Sequence, residues 1–243
     1  MKNSDIISRT WHGSALEVNI LFSGAGIAQQ IAISNTYGII LVDTGDGTLR
    51  DLRANDIDRR KIAGILFTHG HFDHMGGLHT LLGYLRMIGR KQDLPIILPV
   101  DCLEVISTVD NFQDFYGDTI PFKITPYEAG PEETFEIAGM VIDSYAMVHC
   151  GSIEGENVLD QIPSLGYRIT CDGEMVAVSG DTGDCPELRE LVADVDLAVI
   201  EATYEKSADA TPEELAKVHL SEDLAIEIGA LAKEYILVHK GRR

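Results

Sequence analysis

The stretch FTHGHFDHMGG, residues 67–77, packs three imidazoles and a carboxylate into six positions, His69-x-His71-x-Asp73-His74. Neutral imidazoles and carboxylates are good ligands for zinc and similar divalent ions. In extended backbone, residues 69 and 71 project to one side. Asp73 and His74, at the start of a helix, turn toward a second point nearby. The spacing suits two metals, and four ligands are too few for two ions, so further His or Asp residues are required. His149 follows the apolar run 140–148, Asp181 follows 175–178 in SGDTG, and His239 follows 235–238 in ILVHKG. Each sits where a strand runs out into a loop, the usual address of functional groups on a rigid scaffold.

Alternating or continuous apolar runs bounded by Gly, Asn and Pro mark the strands that must position these residues. They read as 15–22, 30–34, 38–42, 62–67, 96–99, 121–126, 140–148, 165–170, 175–178, 196–201 and 234–238. Leu78, Leu81, Leu82 and Leu85 then recur at i, i+3, i+4 and i+7, which predicts an amphipathic helix. The histidine cluster therefore lies on a strand-to-helix turn. Thr211-Pro212-Glu213-Glu214 offers an N-cap, a proline at the first helical position and a capping-box glutamate. Ser221-Glu222-Asp223 opens another helix, with Leu224, Ile228 and Leu231 as its expected apolar face. Strands dominate both halves, so the layer rule predicts an α+β fold of two mixed sheets with helices outside. LVDTG (41–45) and SGDTG (179–183) each follow an apolar strand, a faint internal repeat. No linker interrupts the chain, and a single domain over residues 1–243 is expected.

The composition, 45% apolar and 24% charged, is that of a soluble globular chain. No apolar run approaches the ~18 residues that span a bilayer. The first residues, MKNSDIISRTWHG, lack a signal-peptide core, so a cytoplasmic location is expected, with no membrane partner. Cys102, Cys150, Cys171 and Cys185 form no C-x-x-C pair and read as reduced thiols, Cys150 included although it adjoins His149. The formal charge of −20 opposes a polyanionic partner unless a basic patch or bound metal overturns it. His12 and His79 lie outside the motif and read as surface or packing residues.

H-x-H-x-D-H followed by spaced His, Asp and His resembles the metallo-β-lactamase superfamily over nearly the whole chain. That resemblance implies the αββα four-layer sandwich. It implies one metal on His69, His71 and His149, and a second on Asp73, His74 and His239, with the Asp181 carboxylate bridging. Asp43 in LVDTG is expected to support the ligands rather than bind metal. Many lactam-cleaving members carry cysteine where this chain has Asp181, so antibiotic hydrolysis is not implied. Zinc is the default metal, and manganese or iron suits the same ligands.

Two further stretches resemble the ribonuclease Z branch. Glu201-Ala202-Thr203-Tyr204 is similar to its H-E-A-T-F motif, with Ile200 in place of the leading histidine, and Val218-His219-Leu220-Ser221 is similar to its histidine segment. The resemblance implies His219 as proton donor, Glu201 as its orienter, and Asp73 acting in the catalytic set as well as holding metal. A carboxylate beside an imidazole fixes its tautomer and raises the imidazolium fraction. The implied activity is binuclear metal-dependent hydrolysis of a small phosphodiester or RNA. The interval between His149 and Asp181 has no room for the long Gly-Pro arm with which enzymes of that branch grip tRNA. With the acidic charge, this disfavours tRNA. Thioester or lactone hydrolysis of the glyoxalase II-like or lactonase-like kind is the competing expectation, and a non-hydrolytic metal-binding role is a third. A homodimer is compatible with the sequence.

Overall fold

The computed structural model describes residues 9–151 and 158–241. These divide into two compact units, each built on its own mixed sheet.

The first unit holds Leu16–Ala129, the described residues before Gly13, and Ile137–Gly139. Its strands are β1 (Arg9–His12), β2 (Glu17–Gly24), β3 (Ala28–Ser34), β4 (Ile39–Thr44), β5 (Ile62–Leu66), β6 (Leu94–Pro99) and β7 (Ile124–Ala129), in that spatial order. The first four pair antiparallel, as short turns allow, and β4 through β7 pair parallel through helical crossovers. Helices α1 (Thr48–Ala54), α3 (Leu78–Met87) and α4 (Leu103–Tyr116) supply those crossovers. The one-turn α2 (Phe72–Met75) lies between β5 and α3. The leucines that predicted α3 are all fully buried. They pack with Leu52 of α1, with Val105, Val109 and Phe112 of α4, and with Ile65, Ile96 and Leu98 of the sheet. Each such side chain contributes about 1.5–3 kcal/mol on burial.

The second unit holds Gly13–Ala15, Gly130–Glu136 and the described residues from Met140 onward. Its sheet runs β13 (Glu234–Val238), β12 (Leu197–Glu201), β11 (Glu174–Val178), β10 (Leu165–Cys171), β9 (Met140–Ala146) and β8 (Thr134–Ile137). The parallel trio β11, β12 and β13 brings the C-terminal ends of three strands to one edge of the sheet. Helices α5 (Pro186–Val192) and α7 (Glu222–Gly229) cover it through Leu188, Leu191, Val192, Ala225 and Ile228. In α6 (Pro212–Lys217) the capping box forms as expected: Glu214 N donates to Thr211 Oγ1, and Thr211 N donates to Glu214 Oε2.

Three expectations shift. The helix α4 was not foreseen, because β-branched Val105, Ile106, Thr108 and Val109 weaken helical propensity and its buried stripe is narrow. The strand expected over 121–126 lies three residues later, its register set by Leu94 opposite Ile124; Pro126 is tolerated because β7 is an edge strand. Leu231 lies beyond α7 and is exposed, while the Ser221 hydroxyl pairs with that of Ser207 and does not cap the helix. Thr211→Ala should therefore lower stability by about 1 kcal/mol. The urea midpoint would fall with an unchanged m-value, and Ser221→Ala should not reproduce a cap loss.

Candidate metal centre

In the first unit, β5 ends in a buried segment that carries the H-x-H-x-D-H motif into α2. Two glycines permit the close approach. A Cβ on Gly45 would fall 2.2 Å from the Asp73 carbonyl oxygen, and one on Gly77 would fall 2.4 Å from the Gly45 carbonyl oxygen. The turn after β4 and the ligand loop therefore touch backbone to backbone. Asp43, at an irregularity near the end of β4, adopts φ 60°, a left-handed conformation few residues other than Gly, Asn and Asp enter readily.

Asp43 is buried and organises the loop. Its Oδ1 accepts from Thr68 N at 2.9 Å, and its Oδ2 accepts from Thr68 Oγ1 at 2.8 Å and from His74 Nδ1 at 2.7 Å. The Thr68 hydroxyl proton is thus committed to Asp43. Its oxygen, 3.1 Å from His69 Nδ1, must then accept from that ring. The rings of His69 and His74 lie 4.0 Å apart, those of His69 and His71 4.7 Å. Asp73 Oδ2 accepts from Gly26 N at 2.8 Å and lies 3.9 Å from His74 Nε2.

In the second unit, Asp181 follows β11, His239 follows β13, and His149 lies beyond β9. Asp181 Oδ2 is 3.4 Å from His239 Nε2 and 3.9 Å from His149 Nε2. Zinc bonds of ~2.0–2.1 Å at tetrahedral angles put ligand atoms roughly 3.3 Å apart, so one carboxylate oxygen lies at ligand-to-ligand spacing from one imidazole and slightly beyond it from the other. His149 Nδ1 donates to the Val218 carbonyl at 2.8 Å. Thr203 Oγ1 donates to the His239 carbonyl at 3.0 Å and, its proton spent, accepts from His239 Nδ1 at 3.0 Å. His239 itself adopts φ 54°.

His69, His74, His149 and His239 thus share one tautomer, with the proton on Nδ1 and the lone pair on Nε2. These neutral imidazoles, with the Asp73 and Asp181 carboxylates near them to offset a dication, fit divalent metal. Asp181, His219 and His239 also form a three-donor group, but His219 Nδ1 is 2.9 Å from Glu201 Oε1 and only 3.9 Å from Asp181. We assign that nitrogen to the hydrogen bond. Glu201 is fully buried. Its Oε1 also accepts from Thr182 N and Leu220 N, and its Oε2 from Thr203 N. Four donors therefore stabilise a charge that burial alone would not permit.

The sequence reading missed Thr68, Thr203, Gly26 and the Val218 carbonyl. The two threonines carry a signal, since each adjoins a motif residue; the backbone groups carry none. The buried Cys102 thiol beside the ligand loop is pushed up to about 12 by desolvation, and burial raises Cys150 and Cys185 as well. None is poised as a thiolate. His12 is exposed against Glu17, and His79 packs on Phe112.

Residues 39–239 match the family described as the beta-lactamase superfamily domain. Ribonuclease Z of Mycobacterium bovis is 30% identical over 173 residues, 65% of this chain, and the chain spans 58% of that relative's length. The crystal structure of human tRNase Z, short form, superposes with a TM-score of 0.76 at 21% identity, covering 93% of each chain. Zn(2+)-bound PqqB from Methylobacterium extorquens superposes at 0.72 and 17% identity, covering 92% of this chain and 89% of that one. The fold class is the αββα sandwich expected.

Asp43→Asn tests the organising role, because Asn tolerates the left-handed turn while one acceptor oxygen becomes a donor. Metal affinity should fall 10–100-fold, read by chelator competition, with little change in thermal midpoint of the metal-free protein.

Proposed function

The chain belongs to the β-lactamase superfamily, and from that premise we propose that it is a binuclear metal-dependent hydrolase, a phosphodiesterase of the ribonuclease Z-like type. The observation that carries this reading is the His219–Glu201 pair at 2.9 Å, with the His219 ring 5.1 Å from that of His149 and 5.5 Å from that of His239. A hydrolase of activated thioesters or lactones has no need of a buried carboxylate holding a proton donor beside its ligands.

The ligand set proposed is His69, His71 and His149 for one ion, and Asp73, His74 and His239 for the other, with Asp181 shared. Zinc is the default metal, and manganese or iron fits the same donors. When bound, such a pair supplies Lewis-acid charge for phosphoryl oxygens and lowers the pKa of water toward ~7. The chain's own groups do the rest. The Nδ1 bonds hold His69, His74, His149 and His239 in the metal-binding tautomer. Glu201 accepts the Nδ1 proton of His219, so Nε2 is the nitrogen that meets the leaving oxygen and delivers a proton to it. Thr203 links the two tasks, since its N–H holds Glu201 and its hydroxyl holds His239.

A small phosphodiester is favoured over tRNA by the short interval between His149 and Asp181 and by the charge of −20. Among the described residues no helix is long and apolar enough to cross a membrane. Cys102, Cys150, Cys171 and Cys185 are buried and in no disulfide, which suits a reducing, cytoplasmic setting.

Elemental analysis of the purified protein should find about two metal ions per chain, and His71→Ala or Asp181→Ala should lower metal content and activity together. His219→Ala should lower kcat on a diester with an alkoxide leaving group by about 10²–10⁴. With nitrophenolate, which needs little protonation, the loss should be far smaller. Equal losses would remove His219 from the proton-donor role. Turnover of a thioester without turnover of any diester would replace the whole reading.

A further inference from the structure

Three apolar side chains, Ile27, Phe72 and Leu103, are exposed in or next to the ligand loop of the first unit. Phe72, between His71 and Asp73, is 67% exposed. Ile27, in the turn between β2 and β3, is 40% exposed, and that turn is fixed against the loop by the Gly26 N–H on Asp73. Gly45 lies against both, since a Cβ there would come within 3 Å of the Asp73 carbonyl oxygen and of the Ala28 Cα. Leu103, 63% exposed, stands in the segment that abuts Gly70: a Cβ there would meet Cys102 Sγ at 3.1 Å and Glu104 Oε2 at 2.4 Å.

Singly exposed apolar side chains are normal on a protein surface, and Phe115 and Met87 are such cases here. Ile27, Phe72 and Leu103 differ because each is tied, within two residues, to one loop of four metal-ligand-type side chains. The charged residues within two positions of them in the sequence are Asp73, Asp101 and Glu104, all carboxylates. An anionic extension of a substrate would meet repulsion from these carboxylates. A neutral one would cover exposed hydrocarbon, and a flat one would stack on Phe72.

We propose that Ile27, Phe72 and Leu103 form a recognition rim for one uncharged, aromatic or hydrophobic arm of a small substrate whose reacting group lies at the ligand loop. This deepens the phosphodiesterase reading and rests on it for the identity of that reacting group. The substrate class is then a small diester carrying a neutral organic arm, and chains of phosphates are excluded.

The test compares phenyl methylphosphonate with methyl methylphosphonate as slow-reacting probes of the metal-loaded protein, by titration calorimetry. Wild-type protein should bind the phenyl probe about tenfold more tightly or better, the lower end for apolar discrimination in a protein site. Phe72→Ala and Leu103→Ser should each reduce that ratio toward one, and Phe115→Ala should leave it unchanged. Metal content is measured alongside; should Phe72→Ala lose metal, Leu103→Ser alone decides. Equal affinities in wild type, or a ratio that survives both substitutions, would overturn the rim. Failure of the parent reading looks different: neither phosphonate binds, and thioesters are hydrolysed instead. The rim then stands if aryl thioesters are preferred over alkyl ones through Phe72 and Leu103, and falls if they are not.

Discussion

Proton placement on imidazole is the constraint the site depends on. A histidine offers a lone pair on one ring nitrogen only when the other holds the proton, and the two tautomers are close in free energy in water. Here the choice is made by acceptors that cannot donate. Asp43 takes the proton of His74, and the Val218 carbonyl takes that of His149. Thr68 and Thr203 become pure acceptors toward His69 and His239 because their own protons are committed to Asp43 and to the His239 carbonyl. Neither threonine works without that prior commitment. The metal-ready state of the rings is therefore a property of a hydrogen-bond chain, and each chain ends on an oxygen of the β4 turn or of a backbone carbonyl.

These acceptors must be rigid, which links the tautomers to the fold. Asp43 is placed by β4, buried on both sides within the sheet of the first unit, and by the Gly45 contact that leaves no space for a side chain. Val218 ends α6, whose capping box is complete, and Thr203 follows the fully buried β12. Asp43 and His239 both sit at positive φ. Such strain, of order 1–3 kcal/mol each, persists only where surrounding bonds overdetermine the conformation. Asp43 has three hydrogen bonds holding it, and His239 is gripped through both its carbonyl and its ring by one threonine.

The chemistry of this chain is more legible in its sequence than its architecture. His69 to His74 announce themselves by density, and His149, Asp181 and His239 by following apolar strands. The helix α4 was illegible because its buried stripe is only Val105, Val109 and Phe112, two of them β-branched, among mostly polar neighbours. The edge strand β1 was illegible because its pattern, mostly exposed, carries no apolar signal. Within the site, what stayed hidden is mostly backbone: the Gly26 N–H and the Val218 carbonyl act through position, and any residue type supplies them. Phe72 was in plain view inside the motif, yet its exposure depends on the turn geometry and could not be read from spacing.

The repeated pentads show how one local sequence serves opposite ends of the same ring chemistry. LVDTG closes β4, SGDTG follows β11, and both present a buried aspartate. Asp43 faces Nδ1–H and receives a proton at 2.7 Å; Asp181 faces Nε2 of His149 and His239 at separations too long for good hydrogen bonds and near the spacing of two ligands on one ion. The difference lies in the backbone. At the first pentad the aspartate itself turns left-handed, whereas at the second Gly180 does so at φ 63° and the aspartate comes one residue later. The left-handed residue thus differs by one position between the pentads, and the carboxylate meets an Nδ1 at the first and Nε2 atoms at the second.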